Sequence, residues 1–279
     1  MQPDFACAST QFAASFLMAA AFVPAPTLAT PSTECAVIGT CYCIDSDFKP
    51  VIDVQVAKLR ALIATERAAG KAVGYLSIPL STLGGGYFNV NRQVGEKTRE
   101  RIETRLGKGA AWVLNPAMAE ANIPDVADKR AGGAEYMLMW TRVLEGTAGL
   151  GEDFDFIHFV GPSDFAAYFG LTGTGDLDRL VAYYDERLKT DTDLQRAVTQ
   201  GRVTRAGFRN YYGLRASVTF SLGAHDEWNI AQQINVRRRA DATFGTGNQL
   251  PTWFDGRAVS SADAEQTVSS GYAGLCKAP

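Results

Sequence analysis

Around position 220 the chain reads Phe220-Ser221-Leu222-Gly223-Ala224-His225-Asp226-Glu227-Trp228-Asn229, setting one of its only two histidines beside two carboxylates just after a glycine. Acid, base and nucleophile candidates therefore crowd one short stretch. An apolar run, a glycine and then a polar cluster opening a helix is a way to present side chains to a ligand. Trp228 and the apolar residues before it are placed to desolvate Glu227, raising its pKa, or to expose it to a bound sugar. A carboxylate so placed can attack an anomeric carbon or stabilise an oxocarbenium-like centre, with His225 or Asp226 assisting proton transfer. The plainer alternative is that Asp226 caps the helix while His225 and Glu227 stay in solvent. Neighbouring residues on a helix do not share a face, so a metal held by this triplet ranks below glycosyl chemistry, and no cofactor is expected.

Other positions carry weaker signals. Gly84-Gly85-Gly86 lacks the spacing of a dinucleotide or P-loop fingerprint and reads as a flexible loop or a lid over a ligand. Asn89, Asn91 and Arg92 follow it near a helix start, where an anionic or polyhydroxyl ligand would be favoured. His158 sits inside an apolar strand and reads as a core histidine. Ser163 and Asp164 follow Gly161-Pro162 at a strand end, where either could cap a helix or line a cleft. Ser163 is outside a G-x-S-x-G elbow, the sharpest sign of a serine hydrolase.

These residues need a scaffold, and the hydrophobic pattern supplies one. Apolar spacing predicts helices over 53–69, 91–106 and 133–146, alternating with strands over 73–79, 111–114 and 154–160. That alternation implies an α/β fold, a Rossmann-like parallel sheet with helices on both faces. Ligands in such sheets gather at the carboxyl ends of the strands, so segments 77–92, 115–118 and 161–165 should converge, bringing Ser77 into the cleft. Beyond Ser163 the pattern turns helical over 176–189, 193–200, 204–220 and 226–239. The Gly, Thr, Ser and Pro residues after 241 predict an irregular wrap returning toward Cys276. A single domain over 31–279, with a helical extension over about 163–240, is the simplest organisation.

The 279 residues, 46% of them hydrophobic, are enough for a full core, and a net charge of −3 gives no electrostatic reason for nucleic acid as a partner. Phe12 to Val23 is an apolar run followed by prolines and small residues, which reads as a signal peptide over 1–30 and a secreted or periplasmic product, although the usual positive start is missing. It is too short to span a membrane. Cys35, Cys41, Cys43 and Cys276 then remain as an even set at the two ends of the mature chain, suiting disulfides. A Cys41–Cys43 bridge would close a tiny strained loop, so a bridge from the amino-terminal group to Cys276 is favoured, with the pairing otherwise open.

Two segments extend this reading. Gly74-Tyr75-Leu76-Ser77-Ile78-Pro79-Leu80 resembles the first strand of the nucleoside 2-deoxyribosyltransferase family, where a tyrosine precedes a Pro-Leu pair at the substrate loop. Ser221-x-Gly223-Ala224-x-x-Glu227-x-Asn229-x-Ala231 is similar to that family's D-x-G-T-x-x-E-x-G-x-A segment. The resemblance implies a Rossmann-like enzyme of N-glycosidic chemistry, with Glu227 as nucleophile, Tyr75 near it, and Asp155 matching the acidic residue of the third strand. The residues leave two other classes open: an exported domain that binds a small molecule without turnover, and a hydrolase using Ser163 with His225. A homo-oligomer is a further possibility.

Overall fold

The computed structural model describes residues 30–80, 82–214, 221–243 and 248–277. The apolar run read as a signal peptide lies outside the described residues.

The described chain opens with a hairpin, β1 (Pro31–Cys35) against β2 (Cys41–Asp45), followed by α1 (Lys49–Ala68). Pro50 at the start of α1 supplies a fixed φ and lacks an amide that would go unbonded there, so the helix begins four residues before the apolar spacing predicts. Next come β3 (Ala72–Ser77), α2 (Phe88–Leu106), β4 (Ala111–Leu114), α3 (Gly133–Glu145) and β5 (Phe156–Phe159). The helical half holds α4 (Pro162–Phe169), α5 (Asp176–Thr190), α6 (Thr192–Thr199), α7 (Arg205–Gly213) and α8 (Leu222–Ala240). It is followed by β6 (Thr252–Phe254), β7 (Arg257–Ala258) and α9 (Ser261–Ala264), so the segment expected to be irregular throughout adds two short strands and a helical turn.

The main sheet runs β4-β3-β5-β6-β7, parallel except for the last pair. The chain is α/β with a Rossmann-like sheet. After β3 it steps outward to β4 and then returns to place β5 on the other side of β3. This reversal opens a crevice at the carboxyl end of β3, the position where such sheets hold ligands.

Side chains alternate across the sheet. Val73, Tyr75, Leu114, Ile157 and Phe159 join a cluster with α1, α3, α8 and the hairpin. Leu76, Val113 and Phe156 join the opposite cluster with α2 and α4 to α7. Gly74 permits the second packing, since a Cβ there would stand 2.2 Å from the Phe156 ring. Two disulfides, Cys35–Cys41 and Cys43–Cys276, close the hairpin and tie it to the carboxyl-terminal tail. The second is the bridge that cysteine spacing favoured. No helix among the described residues is long and apolar enough to cross a membrane.

Candidate active site

Tyr75 and Ser77 are two residues apart on β3, so both project from the same side of the sheet, toward α8. The helix α8 starts earlier than its polar cluster suggests, because the Ser221 hydroxyl caps it by accepting from the Ala224 amide at 3.2 Å. Capping by Ser221 leaves Asp226 and Glu227 inside the helix, and the helix turns Glu227 inward. Its side chain reaches β3, where Tyr75 Oη donates to Oε1 and Ser77 Oγ donates to Oε2, each at 2.5 Å.

Glu227 is only 5% exposed, and burial pushes its carboxyl up to about 7. The nearby charge of Asp226 adds to that rise, while the two hydroxyl donors oppose it. Desolvation is the largest of these effects, because a fully buried carboxylate loses its whole hydration shell and the two donors restore only part of it. Tyr75 is fully buried beside Trp140 and Phe154, with ring centroids 5.7 and 5.9 Å away. Burial and the facing carboxylate push its phenol well above the usual value, so it stays a donor.

Glu227 opens onto a cavity of about 300 Å³. Ile78 and Leu80 after β3, Phe88 at the start of α2, and Tyr136, Met137 and Trp140 of α3 supply much of its wall. Pro116, Asn122, Ser221 and Tyr272 complete a largely apolar lining with few polar groups, the composition of a small-molecule site. Among these, Phe88, Trp140 and Tyr272 carried no functional signal in the sequence. Aromatics at helical or loop positions look like ordinary core until the fold shows which of them border a cavity.

The residues next to Glu227 go elsewhere. Asp226 accepts backbone amides from Gly271, Tyr272 and Ala273 at 2.8, 2.7 and 3.1 Å. Burial still raises its carboxyl above the usual range despite those amides. Trp228 Nε1 donates to the Gln266 carbonyl at 2.8 Å, and Asn229 exchanges two hydrogen bonds with the Val268 backbone. His225 Nδ1 meets Ser269 Oγ at 3.2 Å. With Trp228, Phe159 and Phe254, His225 lines a second, larger cavity of about 700 Å³. The two cavities share Ala224 but not Glu227, so His225 and Asp226 do not face the Glu227 cavity.

The remaining candidates are dispersed. Gly85, at φ +108°, packs where a Cβ would come within 2.5 Å of the Gly207 carbonyl oxygen, so this loop of Gly84, Gly85 and Gly86 abuts α7. Its neighbours Leu80 and Phe88, rather than the glycines, line the cavity. Asn89 donates to Tyr87 Oη at 2.9 Å, Asn91 is buried and accepts from Tyr212 Oη at 2.7 Å, and Arg92 is exposed. All three lie inside α2 because the helix begins at Phe88.

Asp155 accepts from the Val73 amide at 2.7 Å and from Arg67 at 3.0 Å, at the amino-terminal edge of the sheet and away from Ser77. Ser163 donates its hydroxyl and its amide to Asp255, each at 2.7 Å. With Ser163 on Asp255 and His225 on Ser269, the pairing a serine hydrolase needs is not formed. Asp164 is buried, accepting from the Gly161 amide at 3.0 Å and from Arg101, with His158 Nε2 3.4 Å away. Burial works to raise its carboxyl, but His158, the Gly161 amide and Arg101 together hold it below the usual range. No group of three or more His, Cys, Asp or Glu among the described residues is placed to hold a metal ion.

Comparison of the chain with protein-family models, curated proteins and solved structures finds no match.

Proposed function

We propose that the Glu227 cavity is the active site of an enzyme that cleaves or transfers the N-glycosidic bond of a nucleoside or a nucleotide-like molecule, with Glu227 as nucleophile. The observation that carries this reading is a desolvated carboxylate, fixed by Tyr75 and Ser77 at 2.5 Å, at the floor of a cavity at the carboxyl end of the central strand. Desolvation makes an anion more reactive, and two fixed donors hold it in one orientation. In the proposed reaction one carboxylate oxygen bonds the anomeric carbon as the carbon–nitrogen bond breaks. The base leaves with that electron pair and takes a proton from water at the cavity mouth. Water, or a second base, then displaces the carboxylate from the sugar ester, giving up a proton to the hydroxide left by the first step, and restores Glu227.

The mostly apolar lining, with both carboxylate oxygens already hydrogen-bonded, also favours a second reading, a domain that binds a small molecule without turning it over. The two disulfides support a location in an oxidising compartment outside the cytosol. The test is release of free base from a panel of nucleosides and nucleoside monophosphates, followed chromatographically for the wild type and for Glu227→Gln. The enzyme reading expects release by the wild type and a loss of at least about 10³-fold in the variant. Ligand-induced thermal stabilisation with no product would favour the binding domain.

A further inference from the structure

The carboxyl-terminal tail crosses the first turns of α8 and is fastened repeatedly between Gln266 and Cys276. Gln266, Val268 and Ser269 meet Trp228, Asn229 and His225, and Asp226 gathers the amides of Gly271, Tyr272 and Ala273. Gly274 then donates to the Cys41 carbonyl at 2.8 Å, the Cys276 amide to Thr33 Oγ1 at 3.0 Å, and Cys43–Cys276 closes the path covalently. Two glycines let it seat this closely. A Cβ on Gly271 would stand 1.9 Å from the Leu222 carbonyl oxygen, and a Cβ on Gly133 would stand 2.2 Å from the Tyr272 ring.

This path delivers Tyr272 to the wall of the Glu227 cavity. Tyr272 remains 38% exposed and Phe88, which also lines that cavity, 45% exposed. Large aromatic groups left in solvent at a cavity rim beside a buried carboxylate are better suited to holding a flat ligand than to holding the core.

We propose that the tail is a working wall of the Glu227 cavity, in which Tyr272 and Phe88 grip a planar ring of the ligand and Asp226 and the Cys43–Cys276 link are what hold Tyr272 in place. Tyr272 is then a specificity residue and Asp226 a positioning residue. Identifying the ring with the departing base rests on the N-glycosidic reading, whereas the grip itself does not.

The experiment is calorimetric binding of free adenine, uracil and 5,6-dihydrouracil, the last having a puckered, saturated ring. The wild type is expected to bind uracil at least about fivefold more tightly than dihydrouracil, the lower end of measured base–aromatic stacking. Tyr272→Ala should weaken adenine and uracil by a similar factor, Tyr272→Phe should retain binding, and Asp226→Asn should lie between. Cys43→Ser with Cys276→Ser should bind like Tyr272→Ala while its circular dichroism stays native. If that double variant unfolds, the Tyr272→Ala and Tyr272→Phe pair decides. Equal binding of flat and puckered rings, no binding of either free base, or wild-type affinity in Tyr272→Ala would each overturn the proposal. Ring binding as expected with no base released from any nucleoside would instead count against the N-glycosidic reading alone.

Discussion

Glu227 is held between desolvation, which favours its neutral form, and the hydroxyls of Tyr75 and Ser77, which favour its charge; with its pKa near 7, both forms are populated at neutral pH. The nucleophile is the charged form, so the rate should rise as pH increases through about 7 and level off above it. A profile flat between pH 5 and 9 would remove Glu227 from that role. Tyr75→Phe deletes a donor to the anion, so the midpoint should move upward by about one unit, the equivalent of one charge-assisted hydrogen bond. The same group affects folding. A raised carboxyl pKa means the folded protein holds the proton more tightly, so this contribution to stability is present below the unfolded value near 4.5 and lost as pH climbs through 7. Above pH 7 the cost is about 3 kcal/mol, which Glu227→Gln should recover as a higher melting temperature at pH 8, with little change at pH 4. The sequence showed Glu227 beside Trp228 and Tyr75 in a strand, but not where their side chains turn. One residue along a helix is a rotation of about 100°, and this sends His225, Asp226 and Glu227 to a second cavity, a tail and a strand respectively.

At the scale of elements, β3 and α8 together make the site, and each has its own packing requirement. In β3 that requirement is Gly74, over which the Phe156 ring lies. Gly74→Ala should cost about 1–3 kcal/mol by overpacking and lower the melting temperature, and an unchanged value would show that Phe156 moves aside freely. The central strands were legible because each is a short apolar run between breakers, as in Val73 to Ile78. Strands β1 and β2 were not, since Pro31-Ser32-Thr33-Glu34-Cys35 carries no apolar alternation and is held by pairing and a disulfide instead. The three-residue β6 was missed for a similar reason: it follows Pro251 and exists because β5 offers a free edge. The start of α8 was placed too late because the conspicuous acids at 226 and 227 resemble a first turn, while Ser221 is the actual cap.

Across the whole molecule, the hairpin that opens the described chain and the tail that closes it meet on one side of the sheet. Cys43–Cys276 spans 233 residues of sequence, and in the chain-entropy picture a loop of that size stabilises by about 5 kcal/mol. Replacing both cysteines with serine should therefore lower thermal stability substantially more than breaking Cys35–Cys41, which spans only 6 residues. Similar losses from the two replacements would mean the tail is held by its noncovalent contacts to α8 and the hairpin rather than by the long bridge. Cysteine spacing foretold the long bridge. No spacing rule foretold that the polar residues around Glu227 would form the tail's dock, because that depends on where a segment some 40 residues later comes to rest.

The account is tested most directly by trapping the sugar on the protein. A nucleoside bearing fluorine on the carbon next to the anomeric centre slows breakdown of a glycosyl ester, so the intermediate should accumulate and be located by peptide mass mapping. The expected result is one sugar adduct on Glu227, absent from Glu227→Gln, with one equivalent of base released as it forms. Base release with the adduct on another residue, or with none on Glu227, would contradict it.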